Sequence, residues 1–494
     1  MTSAYAQLEA LFGRIGELES AMSVLQWDAS VMMPPGGGPA RGAQLAGLGL
    51  LRRDLLAEDR VADLLEAAQC ETLDEWQTAN LRGMWRERVH AVAVPGDLLE
   101  ALTKAGISCE GAWRGARESS DFATILPEFE AMVALVQESA AAKGEALACT
   151  PYEALLDEND PGRRAAEIDR LFGELSGFLL AFLDRVIERQ NASPAPPVRA
   201  GPFPVAEQRL LARDLMTAVG FDFAHGRLDE SQHPFCGGVP DDVRLTTRFD
   251  ESRYDFSTMA VLHESGHAMY EQGLPAKWRG QPVGQALGMT VHESQSLCVE
   301  MQASRTAAFQ GWLAKRLRAA FGDDPAWEAD AVLRRATRVR RSMIRVEADE
   351  VTYPLHVILR YRLERAMLAG DLAPADLPGA WNDGMADLLG VTPANDREGC
   401  LQDIHWYLGA WGYFPTYTLG ALAAAQLYAT AKAQTDGLEE ALAEGDFRPL
   451  MGWLRPHIHE RGSLTTPAAL IETATGQALG TSVFKAHLEA RYPV

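Results

Sequence analysis

The segment HESGH at residues 263–267 places two histidines and a glutamate at a spacing suited to metal-assisted hydrolysis. His263 and His267 are four residues apart, so on a helix their imidazoles project from one face and can bind one cation. Glu264 adjoins the first of them and can face a water held by that cation. The segment is only moderately specific, because a pair of hydrogen-bonded helical histidines is spelled the same way. A hydrolytic zinc site normally takes three ligands from the protein and leaves the fourth position to water. The longer metzincin pattern would need glycine at 270 and histidine at 273, where this chain has Tyr270 and Gly273. Glu271 lies about 12 Å along the helix axis from His263, too far for bonds of about 2 Å. The third ligand is therefore expected from another element. HESQS at 292–296 reads as the opening of a second amphipathic helix that presents Glu293, with Glu300 two turns later as its competitor.

The elements that must position these residues are mostly helices. Segments 205–218, 329–351, 355–369 and 417–434 carry apolar residues at helical spacing and are rich in Ala, Leu, Arg and Glu. Asp255 or Ser257 is expected to cap the helix that carries His263, and Gly273 with Pro275 to stop it. One strand is expected at 243–249, as part of a small β element. Pro/Gly punctuation at 34–39, 192–204 and 234–240 predicts loops. The 192–204 stretch is the best candidate boundary, separating a helical half (about 1–200) from a catalytic half (about 201–494). Length alone suggests about three domains, but no flexible linker or repeat of 20–50 residues is present. A single peptidase domain over 1–494 is therefore expected.

Lys plus Arg number 46 against 68 Asp plus Glu, a net charge of −22. That argues against a nucleic-acid or anionic-membrane binder, whose affinity would need a basic surface. The first 20 residues lack the basic and apolar regions of a signal peptide, and no apolar run is long enough to cross a membrane. The six cysteines (70, 109, 149, 236, 298 and 400) form no CxxC pair and read as reduced, buried thiols of a cytoplasmic protein.

Six motifs, HESGH among them, occur in chain order. They are HPF (233–235), DVRLT (242–246), HESGH, HESQ (292–295), IRVEAD (344–349) and GCLQDIHW (399–406). WDASVMMPPGG near the start and GYFPTYTLG late in the chain belong with them. From end to end the sequence resembles the carboxypeptidase Taq family of metallocarboxypeptidases. The resemblance implies a mostly α-helical fold of the helical gluzincin type, with a deep groove between two halves. It also implies release of single C-terminal residues with broad specificity, one zinc or cobalt ion per chain, and a homodimer. It favours Glu293 over Glu300 as third ligand.

Helical gluzincins stabilise the oxyanion with a late His and Tyr, and His405 and Tyr417 are the matching residues, with Tyr413 as second choice. A terminal carboxylate is best gripped by guanidinium, which singles out Arg345 in IRVEAD and Arg244 in DVRLT. The ordinary alternative for Arg345 is local pairing with Glu347 or Asp349 in a long helix. Asp349 and Asp403 are candidates for orienting ligand histidines, with structural ion pairing as the equal alternative. His233 and His292 are candidates for lining the groove. The remaining histidines are expected to pack or to lie at the surface. Two other functions compete with peptide trimming from the C-terminus. One is a metallo-oligopeptidase or dipeptidyl carboxypeptidase, and the other a non-catalytic peptide binder, against which an intact Glu264 argues.

Overall fold

The computed structural model describes residues 2–493, which form twenty α-helices, ten short 3-10 or π turns and three strands. The fold is helical, as the periodicities predict. The strands are β1 (Gly226–Glu230), β2 (Cys236–Val239) and β3 (Asp242–Thr247). They form one sheet in the order β1-β3-β2, with β1 parallel and β2 antiparallel to β3. Leu245 on β3 pairs with both Leu228 and Cys236, and with Val243 it points into the core. Among the described residues no helix is long and apolar enough to cross a membrane.

Two large hydrophobic cores hold the molecule together, and they do not follow chain order. One unites Phe129, Leu171 and Phe182 with Leu355, Trp381, Trp406 and Phe484. The other gathers Leu215, Leu262, Phe309, Leu427 and Leu454. The 192–204 connection is irregular, as its prolines dictate, and carries the chain from Val186 in the first core to Phe203 in the second. Between the two cores lies a cavity of about 710 Å³, lined by Tyr353 and Tyr417 on one side and His263 and Leu313 on the other.

Several local expectations are corrected by tertiary contacts. The helix expected over 329–351 ends at Ala336 and is followed by irregular chain up to a 3-10 turn at Arg345–Glu347. Gln190 explains the break: it donates to the Thr337 carbonyl and accepts from Val339 N, while Asp349 accepts from Arg340 N. Side chains thus take the backbone groups that a continuing helix would need, and propensity yields to packing. The loop expected over 234–240 contains β2, and within 34–39 a 3-10 turn at Pro35–Gly37 leads into a helix at Gly38. The helix of HESGH starts at Tyr254 after an uncapped Arg253, so Asp255 and Ser257 lie inside its first turn and cannot cap it, and the Ser257 hydroxyl donates to Gln208. HESQS does not open its helix but fills the second half of Gly288–Leu297, which continues into a π turn at Cys298–Ala303. Of the six thiols, all unpaired, Cys109, Cys298 and Cys400 are buried, whereas Cys149 and Cys236 are only partly buried and Cys70 is exposed.

Candidate metal and catalytic site

His263 and His267 occupy adjacent turns of Tyr254–Glu271, and Glu293 meets them from Gly288–Leu297. This meeting depends on a close helix crossing. A Cβ on Gly266 would lie 2.4 Å from the Gln295 carbonyl oxygen, so only glycine lets the two backbones approach so closely. Behind Glu293, Gly420 of helix Pro415–Gln434 leaves similar room: a Cβ there would lie 2.7 Å from that of Glu293. The result is a convergent donor set. His267 Nε2 is 3.4 Å and His263 Nε2 3.7 Å from Glu293 Oε2, and the three ligand atoms all lie within 4.8 Å of one another.

Hydrogen bonds behind the histidines determine which nitrogen is free. His292 Nε2 lies 2.8 Å from Glu271 Oε1, and a carboxylate can only accept, so that nitrogen carries the proton. His292 Nδ1 is then an acceptor, and it lies 2.6 Å from His267 Nδ1, which must donate. The His267 Nε2 lone pair is left facing Glu293. On the other ligand, His263 Nδ1 donates to Glu300 Oε2 at 3.1 Å, and Arg305 holds the far oxygen of Glu300 at 2.9 Å. Both Nε2 lone pairs and one carboxylate oxygen thus point to a common position. This donor chemistry fits a divalent cation of the zinc type.

The electrostatics agree with that fit. Burial alone would raise the Glu293 carboxyl, but His263, His267 and Ser296 bring it down to about 2. Burial, reinforced by His292, lowers His267 to about 4, which favours the neutral, ligating form. At His263 burial works downward but is outweighed by Glu293, Glu300 and Glu264, which raise it to about 10. Such an anionic environment attracts a cation. Burial pushes the Glu264 carboxyl up to about 7 against the pull of His263, in the range suited to a general base at neutral pH.

Across the cavity stands Tyr417, its hydroxyl 3.3 Å from Nε2 of His405, which like Tyr413 is not among the described residues that line the cavity. Tyr417 sits in the first turn of Pro415–Gln434, lines the cavity with Glu264 and Glu293, and packs edge-on against Tyr413 with ring centres 5.2 Å apart. The turn bearing His405 is held by Glu364, whose buried carboxylate accepts from Trp406 Nε1 at 2.7 Å and Gly412 N at 2.6 Å. Arg345 also lines the cavity, its guanidinium carbon 4.9 Å from the centre of the Tyr417 ring.

The partners expected for several residues are corrected. Arg345 pairs not with Glu347 or Asp349 but with Asp403, which accepts from its Nε at 3.1 Å and Nη2 at 2.8 Å. Asp403 therefore orients no histidine. It is shared with the fully buried Arg360, 2.6 Å away at Nε. Nor does Asp349, which accepts from the backbone of Arg340, Val351 and Thr352. Glu271 and Glu300, weighed only as ligands, instead hydrogen-bond with His292 and with the Nδ1 side of His263. His292 lies behind His267 rather than along the groove. Among the described residues that line the cavity, neither His233 nor Arg244 appears. His233 is exposed beside Pro234, which does line it, and Arg244 is bound to Asp242 and stacked 4.3 Å over the Trp27 ring. Sequence reasoning missed Tyr353, Arg305 and Glu364. No local signal marks them, because each is a single ordinary residue whose partner is distant or buried.

Comparison with known proteins identifies the family. The family model for carboxypeptidase Taq (M32) metallopeptidases matches residues 7–492. Thermostable carboxypeptidase 1 of Thermus thermophilus is 38% identical, over 99% of this chain and 98% of its own. Carboxypeptidase 1 of Bacillus subtilis is 32% identical, over 98% of this chain and 96% of its own. The solved structure of Trypanosoma cruzi metallocarboxypeptidase 1 superposes with a TM-score of 0.97 at 38% identity, covering 99% of each chain. That of an M32 carboxypeptidase from Deinococcus radiodurans R1 gives 0.92 at 33% identity, covering 99% and 98%. With the family model spanning nearly the whole chain, and the length and fold shared with these relatives, the chain belongs to the carboxypeptidase Taq (M32) metallopeptidase family and is a metal-dependent carboxypeptidase.

Proposed function

We propose that this chain acts as a single peptidase unit that releases one C-terminal residue at a time from peptides of varied sequence. The observation that carries the reading is that His263, Glu264 and Glu293 line one cavity with Arg345, while His267 clusters with His263 and Glu293. In this reading His263, His267 and Glu293 hold one divalent ion per chain, zinc or alternatively cobalt. Such an ion supplies a Lewis acid that makes water acidic and polarises the scissile carbonyl. Glu264 accepts the proton of the attacking water and delivers it to the leaving amine. The Tyr417 hydroxyl, with His405 beside it, donates to the oxyanion of the tetrahedral intermediate. Arg345 binds the terminal carboxylate. A guanidinium has five N–H groups, and three are committed to Asp403 and Tyr353, which leaves two for the substrate. The six unpaired thiols support a reducing cytoplasm, and the family resemblance supports a homodimer.

Mass spectrometry of one defined peptide, as free acid and as amide, tests this reading. Successive loss of single residues is expected from the acid only, with all loss abolished by a chelator and restored by Zn²⁺ or Co²⁺. Release of dipeptides or internal fragments would establish the oligopeptidase alternative. Two substitutions probe individual roles. Tyr417→Phe should lower kcat at unchanged metal content by about 2–4 kcal/mol in activation free energy. A merely structural tyrosine would show instead a lowered Tm with normal kcat. His292→Ala removes the acceptor of the His267 Nδ1 proton, and should weaken metal affinity by about 10–100-fold in a competitive chelator titration. Unchanged affinity would rule out the orienting role.

A further inference from the structure

The cavity has a basic wall that none of the roles above uses. Arg335 stands near the end of helix Ala329–Ala336, Arg338 and Arg340 follow it on the irregular stretch, and Arg199 comes from the 192–204 connection. All four line the cavity. The hydrogen bonds of their guanidinium groups go to uncharged partners. Arg335 donates to the Pro197 and Ala326 carbonyls at 2.7 and 2.6 Å and to the Tyr254 hydroxyl at 3.4 Å. Arg338 donates to Asn191 Oδ1 at 2.6 Å, and Arg199 to the Phe321 carbonyl. Arg340 is exposed, and among the described residues its side chain has no partner.

The other arginines of the cavity differ. Arg305 is paired with Glu300, Arg345 with Asp403, and Arg253 with both Asp255 and Glu347. Unpaired guanidinium is unexpected here, because a chain with 68 acidic and 46 basic residues has carboxylates to spare. Backbone carbonyls hold two of these side chains in place without neutralising them. The full charge remains available to an anion, in a concave site where screening by solvent is reduced.

We propose that Arg199, Arg335, Arg338 and Arg340 form an anionic subsite that favours peptides bearing Asp or Glu a few positions before the scissile bond. The inference rests on the carboxypeptidase reading, in which Arg345 already serves the terminal carboxylate. The remaining guanidinium groups then meet the acidic side chains of the same peptide. The expected preference belongs to the body of the substrate and not to the residue released.

The test uses N-acetylated, free-acid hexapeptides that carry Glu, Gln or Lys at each of four positions before the scissile bond. At the best position, kcat/KM for Glu should exceed that for Gln by about 3–10-fold and exceed that for Lys further, with the gap narrowing as salt is raised. Arg340→Glu alters an exposed side chain without partners, so folding and Gln-peptide cleavage should persist while the Glu/Gln ratio falls to one or below. Arg338→Gln should reduce the ratio in the same direction. Equal cleavage of the Glu, Gln and Lys peptides at every position would overturn the proposal. So would a wild-type ratio in both variants. Failure of the Gln peptide to lose single residues would sink the carboxypeptidase reading instead. The charge preference would then be read from the Kd of the same peptides for the Glu264→Gln protein, where equal Kd values overturn it.

Discussion

Glu264→Gln is expected to keep the metal and to lose about 10²–10⁴-fold in kcat. The exchange nearly conserves volume at a side chain that is 6% exposed, so packing against the close helix crossing is retained. The three candidate ligands and the partners behind them, Glu300, His292 and Glu271, are untouched. What disappears is the capacity to accept a proton, because an amide oxygen is a very weak base. Elemental analysis should therefore return wild-type metal content alongside the loss of turnover on a free-acid peptide. Near wild-type hydrolysis by fully loaded variant protein would show that another group is the base.

Asp403→Asn is expected to cost about 3–5 kcal/mol of stability, read by chemical denaturation. Asp403 is the single carboxylate between two guanidinium groups, and the side chains of Arg345, Arg360 and Asp403 are 7%, 0% and 11% exposed. Replacing it leaves both charges buried without a counter-ion. Burial alone would raise the Asp403 carboxyl, yet Arg345 and Arg360 hold it well below the usual carboxylate range. A folded pKa below the unfolded one means that the unfolded chain takes up the proton first as pH falls. The contribution is therefore complete above about pH 4 and declines below it, so the gap between wild type and variant should narrow in acid. A gap that is small at pH 7, or that widens in acid, would contradict this account. Because Asp403 also aims Arg345, the variant's KM for free-acid peptides should rise more than its kcat falls.

The fold class and the clustering of His263 and His267 beside Glu264 were legible in the sequence because both rest on short-range geometry. Four-residue spacing sets His263 and His267 on one face of any helix, and Glu264 goes with them. Alternating residues marked β3, and prolines marked the 192–204 connection. Motif order supplied the family, and with it Tyr417 and His405, which the structure brings to within hydrogen-bonding distance.

The choice between Glu293 and Glu300 was of another kind. Both belong to one helical stretch two turns apart, and no periodicity separates them. The close packing at Gly266 and Gly420 puts Glu293 opposite the two Nε2 atoms and leaves Glu300 to the Nδ1 side of His263. Arg345 was legible as an arginine of interest but not by its partner, which is 58 residues away at Asp403. The helix predicted over 329–351 failed for the same reason, since the groups that end it come from Gln190, 147 residues before Thr337. Spacing along the chain determines which side chains share a face of their own element. Only close packing of elements distant in sequence decides which of those faces meet, and that determined which neighbours each candidate group has here.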